Sequence, residues 1–287
     1  MIVCEPTSGL TSRIYVIAEA YALARRLNQE LIIVWQKTAD CDCFYRDVFD
    51  EKQFSDIPHR IYECNRFEHR FHDLKTHLSF ENAALAVKEL WVRSVFFIRY
   101  HFLKRHLQSK CTLFKNSYED QNALLKPEEA AGKSCYIEAY NCITGEHDLS
   151  SIRFQKRFLQ AAEEVLPQNG VKYVGVHIRR TDHGPATAGS LTSSFIGRMQ
   201  EILEADPGSM FYVATDDWSE QERLTELFGE HILYQKGKVL SRSSREGMDS
   251  AVIDMLCLSR TQYILGSYAS IFSKFSAEYG GIRLEIV

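Results

Sequence analysis

The 287-residue chain is 45% hydrophobic and 25% charged, a composition that is typical of globular proteins and excludes disordered and fibrous classes. Its formal net charge of −4 gives no overall basic field, so we expect no nucleic-acid partner and only local anion sites. The length lies where a single core usually stops growing, which predicts two domains.

The N-terminal residues, MIVCEPTSGL, contain neither a positively charged leader nor a long apolar stretch. We therefore expect no secretory signal and no spanning helix at this end. The expectation that follows is a soluble, non-exported, cytoplasmic protein.

The first elements in chain order predict a β-loop-α-β unit. Residues 2–4 form a short apolar strand, alanines and leucines at helical spacing predict a helix over 14–27, and 31–35 form a buried strand. The connecting loop contains Gly9 and Arg13. It delivers the helix N-terminus at the carboxyl end of the first strand, where ligands bind in open α/β sheets.

Eight cysteines are present, and none forms a Cys-x-x-Cys pair. Cys41 and Cys43 have no matching second pair, so they make a poor zinc signature. We expect reduced and mostly buried thiols, with no disulfide and no metal site.

Residues 40–150 give weaker patterns. The apolar and basic segment LAVKELWVRSVFFIRYHFLKRHL predicts a helix, but Phe96, Leu103 and Leu107 interrupt its basic face. This favours a packed helix with a solvated basic edge. A helix lying on the inner membrane face, near a lipid-linked acceptor, stays open as the alternative and would give weak peripheral association.

A break at PQNG, residues 167–170, follows a helix predicted over 151–166. We place the domain boundary there, with an N-terminal domain over 1–166 and a C-terminal domain over 167–287. After the break, strands alternate with helices, which predicts parallel βαβ units and, overall, an α/β protein with two Rossmann-like domains facing a central cleft. The predicted strands are 171–178, 210–214, 232–234, 262–265 and 282–286, and the helices are 193–205, 220–228, 248–259 and 270–279.

The first chemically loaded loop follows the strand in VGVHIRRTDHG, residues 174–184. Strand alternation places His177 and Arg179 on one face, above a glycine that leaves room. A guanidinium stays charged and offers a planar fork of donors to phosphate oxygens. The alternative is that Asp182 pairs with Arg179 or Arg180 only to hold the loop.

The second loop lies in FYVATDDWSEQE, residues 211–222. Ser219 and Glu222 predict a capping box for the next helix. That box needs neither Asp216 nor Asp217, so one of them is available to orient the loop and the other to accept from a ribose or base. Two turn aspartates with no ligand are the alternative.

The third loop follows the strand 262–265 and opens a helix, with Ser267 and Ser270 beside free amides and the positive helix end. It predicts a phosphate cradle without the spacing of a P-loop or of GxGxxG. Asp254 stands on an apolar helix, where a carboxylate is costly unless it is paired. A guanine edge would pair it bidentately; a buried salt bridge to Arg242 is the alternative.

Together the three loops resemble the three motifs of the α1,6-, α1,2- and protein O-fucosyltransferase superfamily. GVHIRRTD is especially similar to the first motif of the α1,6-fucosyltransferases of the nodulation and N-glycan core type, and FYVATDD and DMLCLSRTQYILGSYASIFS are similar to the second and third. SGLTSRIYVIAEAYALARRLNQELIIVW resembles the N-terminal glycine-rich loop and helix, which carries Gly9 and Arg13.

The resemblance implies a GT-B fold, GDP-fucose as donor, a glycan acceptor, inversion at the anomeric carbon and no metal or other cofactor. It implies an acceptor-side N-terminal domain and a GDP-sugar-binding C-terminal domain. The residue roles it implies are β-phosphate binding and catalysis for Arg179, nucleoside contact for His177, guanine reading for Asp254, phosphate contact for Ser270, loop support for Asp216 and Asp217, and pocket lining or bracing for Arg180 and Asp182.

Two other functions stay open. One is a GT-B transferase that uses another nucleotide sugar, such as a UDP or ADP sugar, and the other is a non-catalytic nucleotide or glycan binder. For a transferase, fixed positive charge from Arg179 and the helix N-terminus near Ser270 would stabilise the leaving diphosphate. Asp182 and Glu138 are the candidate bases for the acceptor hydroxyl.

Overall fold

The computed structural model describes residues 1–65, 98–117, 120, 123–167, 170–181 and 189–287. The chain divides into two compact units, Met1–Arg153 with Arg242–Arg245, and Phe154–Ser241 with Glu246–Val287. The helix before PQNG therefore belongs to the second unit, although the sequence-based boundary at 166 had placed it in the first.

The first unit is built on a parallel sheet with the strand order β3-β2-β1-β5-β4. Its strands are β1 (Ile2–Pro6), β2 (Leu31–Lys37), β3 (His59–Asn65), β4 (Thr112–Lys115) and β5 (Cys135–Ala139). Its described helices are α1 (Leu10–Arg26), α2 (Tyr45–Val48), α3 (98–108) and α4 (Pro127–Ala130).

Helix α1 begins directly after Gly9, several residues before the predicted start at 14. The polar Ser12 and Arg13 hid its first turn from the apolar pattern, because both side chains are buried in the structure instead of facing water. The predicted β-loop-α-β order of this segment is present.

Helix α3 covers the end of the basic apolar segment, and the part of that segment before residue 98, with Phe96, lies outside the described residues. Leu107 is buried, and Tyr100 and Leu103 pack on the same cluster as Val3 and Ile32. These three residues pack against the core of the first unit, as the interpretation of a packed helix predicted. No helix in the described ranges is long and apolar enough to cross a membrane.

The second unit is built on another parallel sheet, with the strand order β10-β9-β6-β7-β8. Its strands are β6 (Tyr173–Ile178), β7 (Met210–Thr215), β8 (Ile232–Leu233), β9 (Tyr263–Gly266) and β10 (Arg283–Ile286). Its helices are α5 (Lys156–Val165), α6 (Thr192–Ala205), α7 (Trp218–Phe228), α8 (Arg245–Leu258) and α9 (Ile271–Gly280). The predicted elements are all present, with shifted ends.

Strand β6 is buried on both faces. Val174, Val176 and Ile178 pack into one core cluster with Phe195 and Met199 of α6, as the alternation predicted. On the other face the prediction of room above Gly175 is wrong. A Cβ atom at that position would lie 2.8 Å from Thr261 Oγ1, so close packing of protein atoms fills the space.

All eight cysteines lie in the described ranges, and none takes part in a disulfide. The sulfur atoms of Cys41 and Cys43 lie 3.6 Å apart in a buried contact. Among the described residues, no group of three or more His, Cys, Asp or Glu side chains is arranged to hold a metal ion.

Candidate functional site

The three loops with candidate site residues follow β6, β7 and β9, which are neighbouring strands of the second sheet. In the register, His177 of β6 pairs with Gly266 of β9, and Ile178 pairs with Thr215 of β7. Because the strands are parallel, the residues that follow them lie side by side at the carboxyl edge of the sheet. The structure thus brings together the three loops that the sequence singled out.

Arg179 is the first residue after β6, and its side chain is 21% exposed. Its Nη1 donates to Asp216 Oδ2 at 2.5 Å, and its backbone N–H donates to Ser267 Oγ at 3.0 Å. Asp216 thus holds the guanidinium and Ser267 holds the backbone of Arg179, while part of the side chain reaches solvent. Asp216 is an ionic partner of Arg179, and Asp182, which the alternative interpretation paired with Arg179 or Arg180, lies outside the described residues.

Asp216 organises the loop after β6 by accepting several hydrogen bonds. Besides Arg179, it accepts from the backbone N–H of Arg180 at 2.8 Å and from the hydroxyl of Thr181 at 2.7 Å. Burial would raise the pKa of Asp216, but Arg179 and these hydrogen bonds outweigh burial and lower it below its ordinary value. The carboxylate is thus held ionised, in the loop-orienting role that the sequence left open.

Arg180 points into a different, largely buried environment. Its Nε donates to Glu220 Oε1 at 2.8 Å, and its two terminal nitrogens donate to Ser190 O at 2.9 Å and Thr192 Oγ1 at 2.9 Å. These contacts tie the loop after β6 to α6 and α7. Arg180 therefore braces the loop, which is one of the two roles predicted for it.

His177 lies under the N-terminus of α9. Its Nδ1 is 2.7 Å from Ser273 Oγ and 3.4 Å from Ser270 Oγ, and its ring stacks on Phe272 with 4.8 Å between ring centres. Burial lowers the pKa of His177 to about 3, so the imidazole is neutral at physiological pH. It can orient the hydroxyl groups of this helix start but adds no positive charge.

Ser270 and Ser267 have different surroundings in the third loop. Ser270 is the N-cap of α9, and its Oγ accepts from the Ser273 N–H at 3.4 Å. Ser267 is fully buried, and its hydroxyl donates to the His177 carbonyl at 3.3 Å. The predicted ligand contact of Ser267 does not fit this burial, since the side chain joins the ends of β6 and β9 instead.

Asp217 caps helix α7. Its Oδ1 accepts from the Ser219 N–H at 2.8 Å and from the Ser219 hydroxyl at 2.7 Å. The predicted capping box at Ser219 and Glu222 is wrong, because α7 begins at Trp218 and the N-cap position falls on Asp217. A ribose contact of Asp217 stays a prediction.

Asp254 is buried in α8 and already has partners. Its Oδ1 accepts from the Tyr212 hydroxyl at 2.6 Å, and its Oδ2 lies 3.3 Å from Lys238 Nζ. Burial raises the pKa of Asp254 by more than Lys238 and Tyr212 lower it. The contacts match the buried salt-bridge alternative, with Lys238 in place of Arg242; guanine reading by Asp254 stays a prediction.

Gly9 and Arg13 belong to the first unit. Gly9 precedes α1 with φ −73°, and its carbonyl accepts the Arg13 N–H at 3.1 Å. The Arg13 guanidinium is 1% exposed, donates to Ser8 O at 2.6 Å and to Gln36 O, and stacks over Trp35. The predicted donor contact of Arg13 does not fit this geometry, because its donors hold the loop after β1 against β2.

Sequence reasoning missed four residues of the second unit that contact or adjoin the predicted site residues: Tyr212 and Lys238 beside Asp254, Ser273 beside His177, and Trp218 after Asp217. Lys238 carried no signal, because a lysine in the turn-like segment YQKGKVL reads as solvated. Trp218 did carry one, since it stands directly after Asp216 and Asp217 at the start of a helix.

No protein-family model matches the chain, and no curated protein matches it. Solved structures do match. Fucosyltransferase NodZ from Bradyrhizobium has a TM-score of 0.53 at 14% identity, covering 96% of this chain and 91% of its own. A mutant of Arabidopsis thaliana FUT1 in complex with GDP has a TM-score of 0.56 at 14% identity, covering 99% and 69%.

POFUT1 in complex with GDP has a TM-score of 0.51 at 9% identity, covering 99% of this chain and 98% of its own. At such identities the likeness concerns the fold. The fold that the motif resemblance implied is thus confirmed. The chain is an α/β protein with two Rossmann-like units, as in the GT-B structures of these fucosyltransferases.

Proposed function

We propose that this chain is a glycosyltransferase that transfers L-fucose from GDP-fucose to a glycan hydroxyl, with inversion and without a metal ion. The solved structures that share its fold include NodZ soaked with GDP-fucose and POFUT1 in complex with GDP. The observation that carries the proposal is the partly exposed Arg179 guanidinium at the carboxyl edge of the second sheet, on the strand next to the one that leads into α9.

Breaking the bond between the anomeric carbon and the β-phosphate oxygen leaves negative charge on GDP. Arg179 supplies a fixed cation, and the N-terminus of α9, capped by Ser270, supplies the positive end of a helix dipole. Charge stabilisation that grows as the bond breaks accelerates this step. The second unit is accordingly the GDP-sugar-binding domain in this proposal.

Asp216 is a positioning residue in this scheme. Its ion pair fixes the guanidinium, while hydrogen bonds from Thr181 and the Arg180 amide spread the carboxylate charge over several donors. Because the carboxylate is shared in this way, the guanidinium keeps a positive field toward solvent. Neutral His177 orients the hydroxyl groups at the start of α9 and leaves the phosphate charge to Arg179.

The acceptor hydroxyl attacks the anomeric carbon from the face opposite to GDP, and its proton passes to a base. Of the two candidates, Glu138 lies in the first unit between Lys104 at 2.8 Å and Lys115 at 2.9 Å. Burial raises its pKa, but these lysines lower it more, to below the ordinary value. Such a carboxylate is a weak base, so the geometry does not favour Glu138.

The deciding experiment compares Arg179→Ala with Arg223→Ala, which removes an exposed arginine from α7 of the same unit. We expect Arg179→Ala to lower kcat/KM for GDP-fucose by at least about 100-fold, about 3 kcal/mol, because it removes the cation that meets the leaving group. Radiolabelled fucose transfer to a glycan library provides the assay, and thermal unfolding provides the folding control. Near-normal turnover by folded Arg179→Ala would falsify the assignment.

A nucleotide panel separates this function from the two others. Thermal-shift measurements with GDP, UDP and ADP should give the largest stabilisation with GDP, by mass action. A larger shift with UDP or ADP would favour another nucleotide sugar. GDP-fucose binding with neither transfer nor hydrolysis over a broad acceptor panel would favour a non-catalytic binder.

A further inference from the structure

Trp218 is an exposed aromatic ring at the carboxyl edge of the second sheet, and the proposed transfer reaction assigns no role to it. It is the first residue of α7 and is 42% exposed. It stands two residues after Asp216, whose carboxylate holds the Arg179 guanidinium at 2.5 Å. A large ring left in solvent beside an anion site is a candidate binding surface.

The inner side of this ring faces a buried cation. Lys238 Nζ lies 5.8 Å from the ring centre, within the range of a cation–π contact, and the Lys238 side chain is fully buried. Its ammonium also donates to Thr215 O at 3.2 Å and to Asp254 Oδ2 at 3.3 Å. The last residue of β7 and the buried carboxylate of α8 thus fix the cation beneath the indole.

This arrangement prepares the indole as a platform. The ammonium is held by partners in β7 and α8 and does not move with solvent, so the indole rests on a rigid support. Because the indole is already held in place, little side-chain entropy is lost when a ligand binds. The solvent-facing side of the ring is available to a flat ligand.

We propose that Trp218 stacks on the purine base of the nucleoside diphosphate and sets the preference for a purine over a pyrimidine. The inference rests on the proposed function, since it assumes that Arg179 holds the diphosphate. Trp218 follows Asp216, the partner of Arg179, by two residues, so a nucleoside whose phosphates bind Arg179 would reach the indole by extending along this loop. Stacking of a base on an aromatic side chain contributes about 1–3 kcal/mol, and a two-ring purine covers more of an indole than a pyrimidine does.

Tyr268 is another exposed ring at this edge, in the loop after β9, but its surroundings differ. A Cβ atom on Gly189 would lie 2.9 Å from Tyr268 Cδ1, so the ring packs closely against the backbone there. The cation–π contact with buried Lys238 belongs to Trp218. The observations therefore single out Trp218 and not Tyr268.

The test measures GDP, UDP and inorganic pyrophosphate binding by calorimetry for the wild type, Trp218→Ala, Trp218→Phe and Arg179→Ala. We expect Trp218→Ala to weaken GDP binding about 10- to 100-fold, UDP binding less, and pyrophosphate binding not at all. Trp218→Phe should retain most of the GDP affinity because it keeps a ring. Arg179→Ala should weaken all three ligands.

Leu227→Ala serves as the matched control, because it removes another exposed apolar side chain from the far end of α7. It should bind all three ligands as the wild type does. Tryptophan fluorescence adds a second readout: the quenching that GDP causes in the wild type should decrease in Trp218→Phe, because that variant lacks the emission of Trp218.

The outcomes separate the two proposals. If Trp218→Ala binds GDP as tightly as the wild type while Arg179→Ala does not, stacking is refuted and the proposed function stands. Equal losses of GDP and pyrophosphate binding in Trp218→Ala would also refute stacking, because they indicate a structural effect. A wild type that binds no GDP would overturn both proposals.

Discussion

Arg179 and Arg180 are adjacent in the sequence, yet their side chains meet different surroundings. Arg179 donates to Asp216 and is partly exposed, whereas Arg180 donates to Glu220, Ser190 and Thr192 and is nearly buried. The strand alternation separates them, because successive side chains at the end of β6 point to opposite faces. Arg180 thus braces the loop, and Arg179 is the arginine that we propose for the ligand.

We expect Arg180→Ala to lower the free energy of unfolding by about 2–4 kcal/mol, because Glu220 would remain buried without its ionic partner. Urea denaturation followed by circular dichroism measures this change. Arg223→Ala should stay within about 0.5 kcal/mol of the wild type. An Arg180→Ala protein as stable as Arg223→Ala would contradict the bracing role.

His177 makes stability depend on pH. Its pKa is lowered by burial to about 3 in the folded state, whereas an unfolded histidine titrates near its ordinary value of 6.5. Below that value the unfolded chain binds a proton that the folded chain does not. The contribution of neutral His177 is therefore complete above pH 6.5 and decreases as the pH falls toward 3.

Between pH 7 and pH 5 the wild type should lose about 2 kcal/mol more unfolding free energy than His177→Asn, which has no titratable group at this position. Urea denaturation at a series of pH values gives both curves. Because other groups titrate in both proteins, the difference between the curves reports His177. Parallel curves would show that the folded histidine titrates normally.

At the scale of elements, close packing decides which glycines in the helices of the second unit can be replaced by a larger residue. Gly280 ends α9, and a Cβ atom there would overlap the Ser259 carbonyl oxygen. Gly197 lies inside α6, and a Cβ atom there would meet nothing within 4 Å. The two glycines therefore form a matched pair with opposite expectations.

Gly280→Ala should destabilise the protein by about 1–3 kcal/mol through overpacking. Gly197→Ala should stabilise it by about 0.4–1 kcal/mol, because alanine restricts the unfolded chain and favours the helix. Thermal or urea unfolding of both variants measures the contrast. Two changes of the same sign would contradict the packing described for α9.

At the scale of the whole molecule, two parallel sheets of Rossmann type divide the chain into two units. In such sheets ligands bind at the carboxyl ends of the strands, where backbone amides and helix N-termini are exposed. The loops after β6, β7 and β9 all belong to the second unit. The first unit presents the carboxyl ends of its own strands and is proposed as the acceptor side.

Hydrogen exchange of the intact protein with and without GDP tests this division. We expect GDP to slow exchange most in peptides that contain residues 179–181, 216–220 and 267–273, because binding orders those amides. Peptides from β2, Leu31–Lys37, serve as the reference in the first unit. Protection confined to the first unit would refute the placement of the nucleotide.

The alternation of strands and helices after residue 170 was readable from the sequence, because each element there carries a regular apolar period and turn residues at its ends. The same local rules placed Arg179, Asp216 and Ser270 just after their strands. Since parallel strands end at one edge, the sequence also predicted that these loops would meet. Helix α7 was predicted, but from residue 220, whereas it begins at Trp218 with Asp217 as its N-cap.

Tertiary structure alone decided which charged groups find each other. Lys238 reaches Asp254, Glu220 reaches Arg180, and the Arg13 guanidinium is buried under β2, all through contacts between residues far apart in the chain. No local period encodes such pairing, because the free energy of a buried charge depends on partners that only the folded chain supplies. The sequence by itself determined the order of elements and the edge where the three loops of the candidate site meet. Folding determined which polar residues there are largely buried in contacts within the protein, such as Arg180 and Asp254, and which stay partly exposed, such as Arg179.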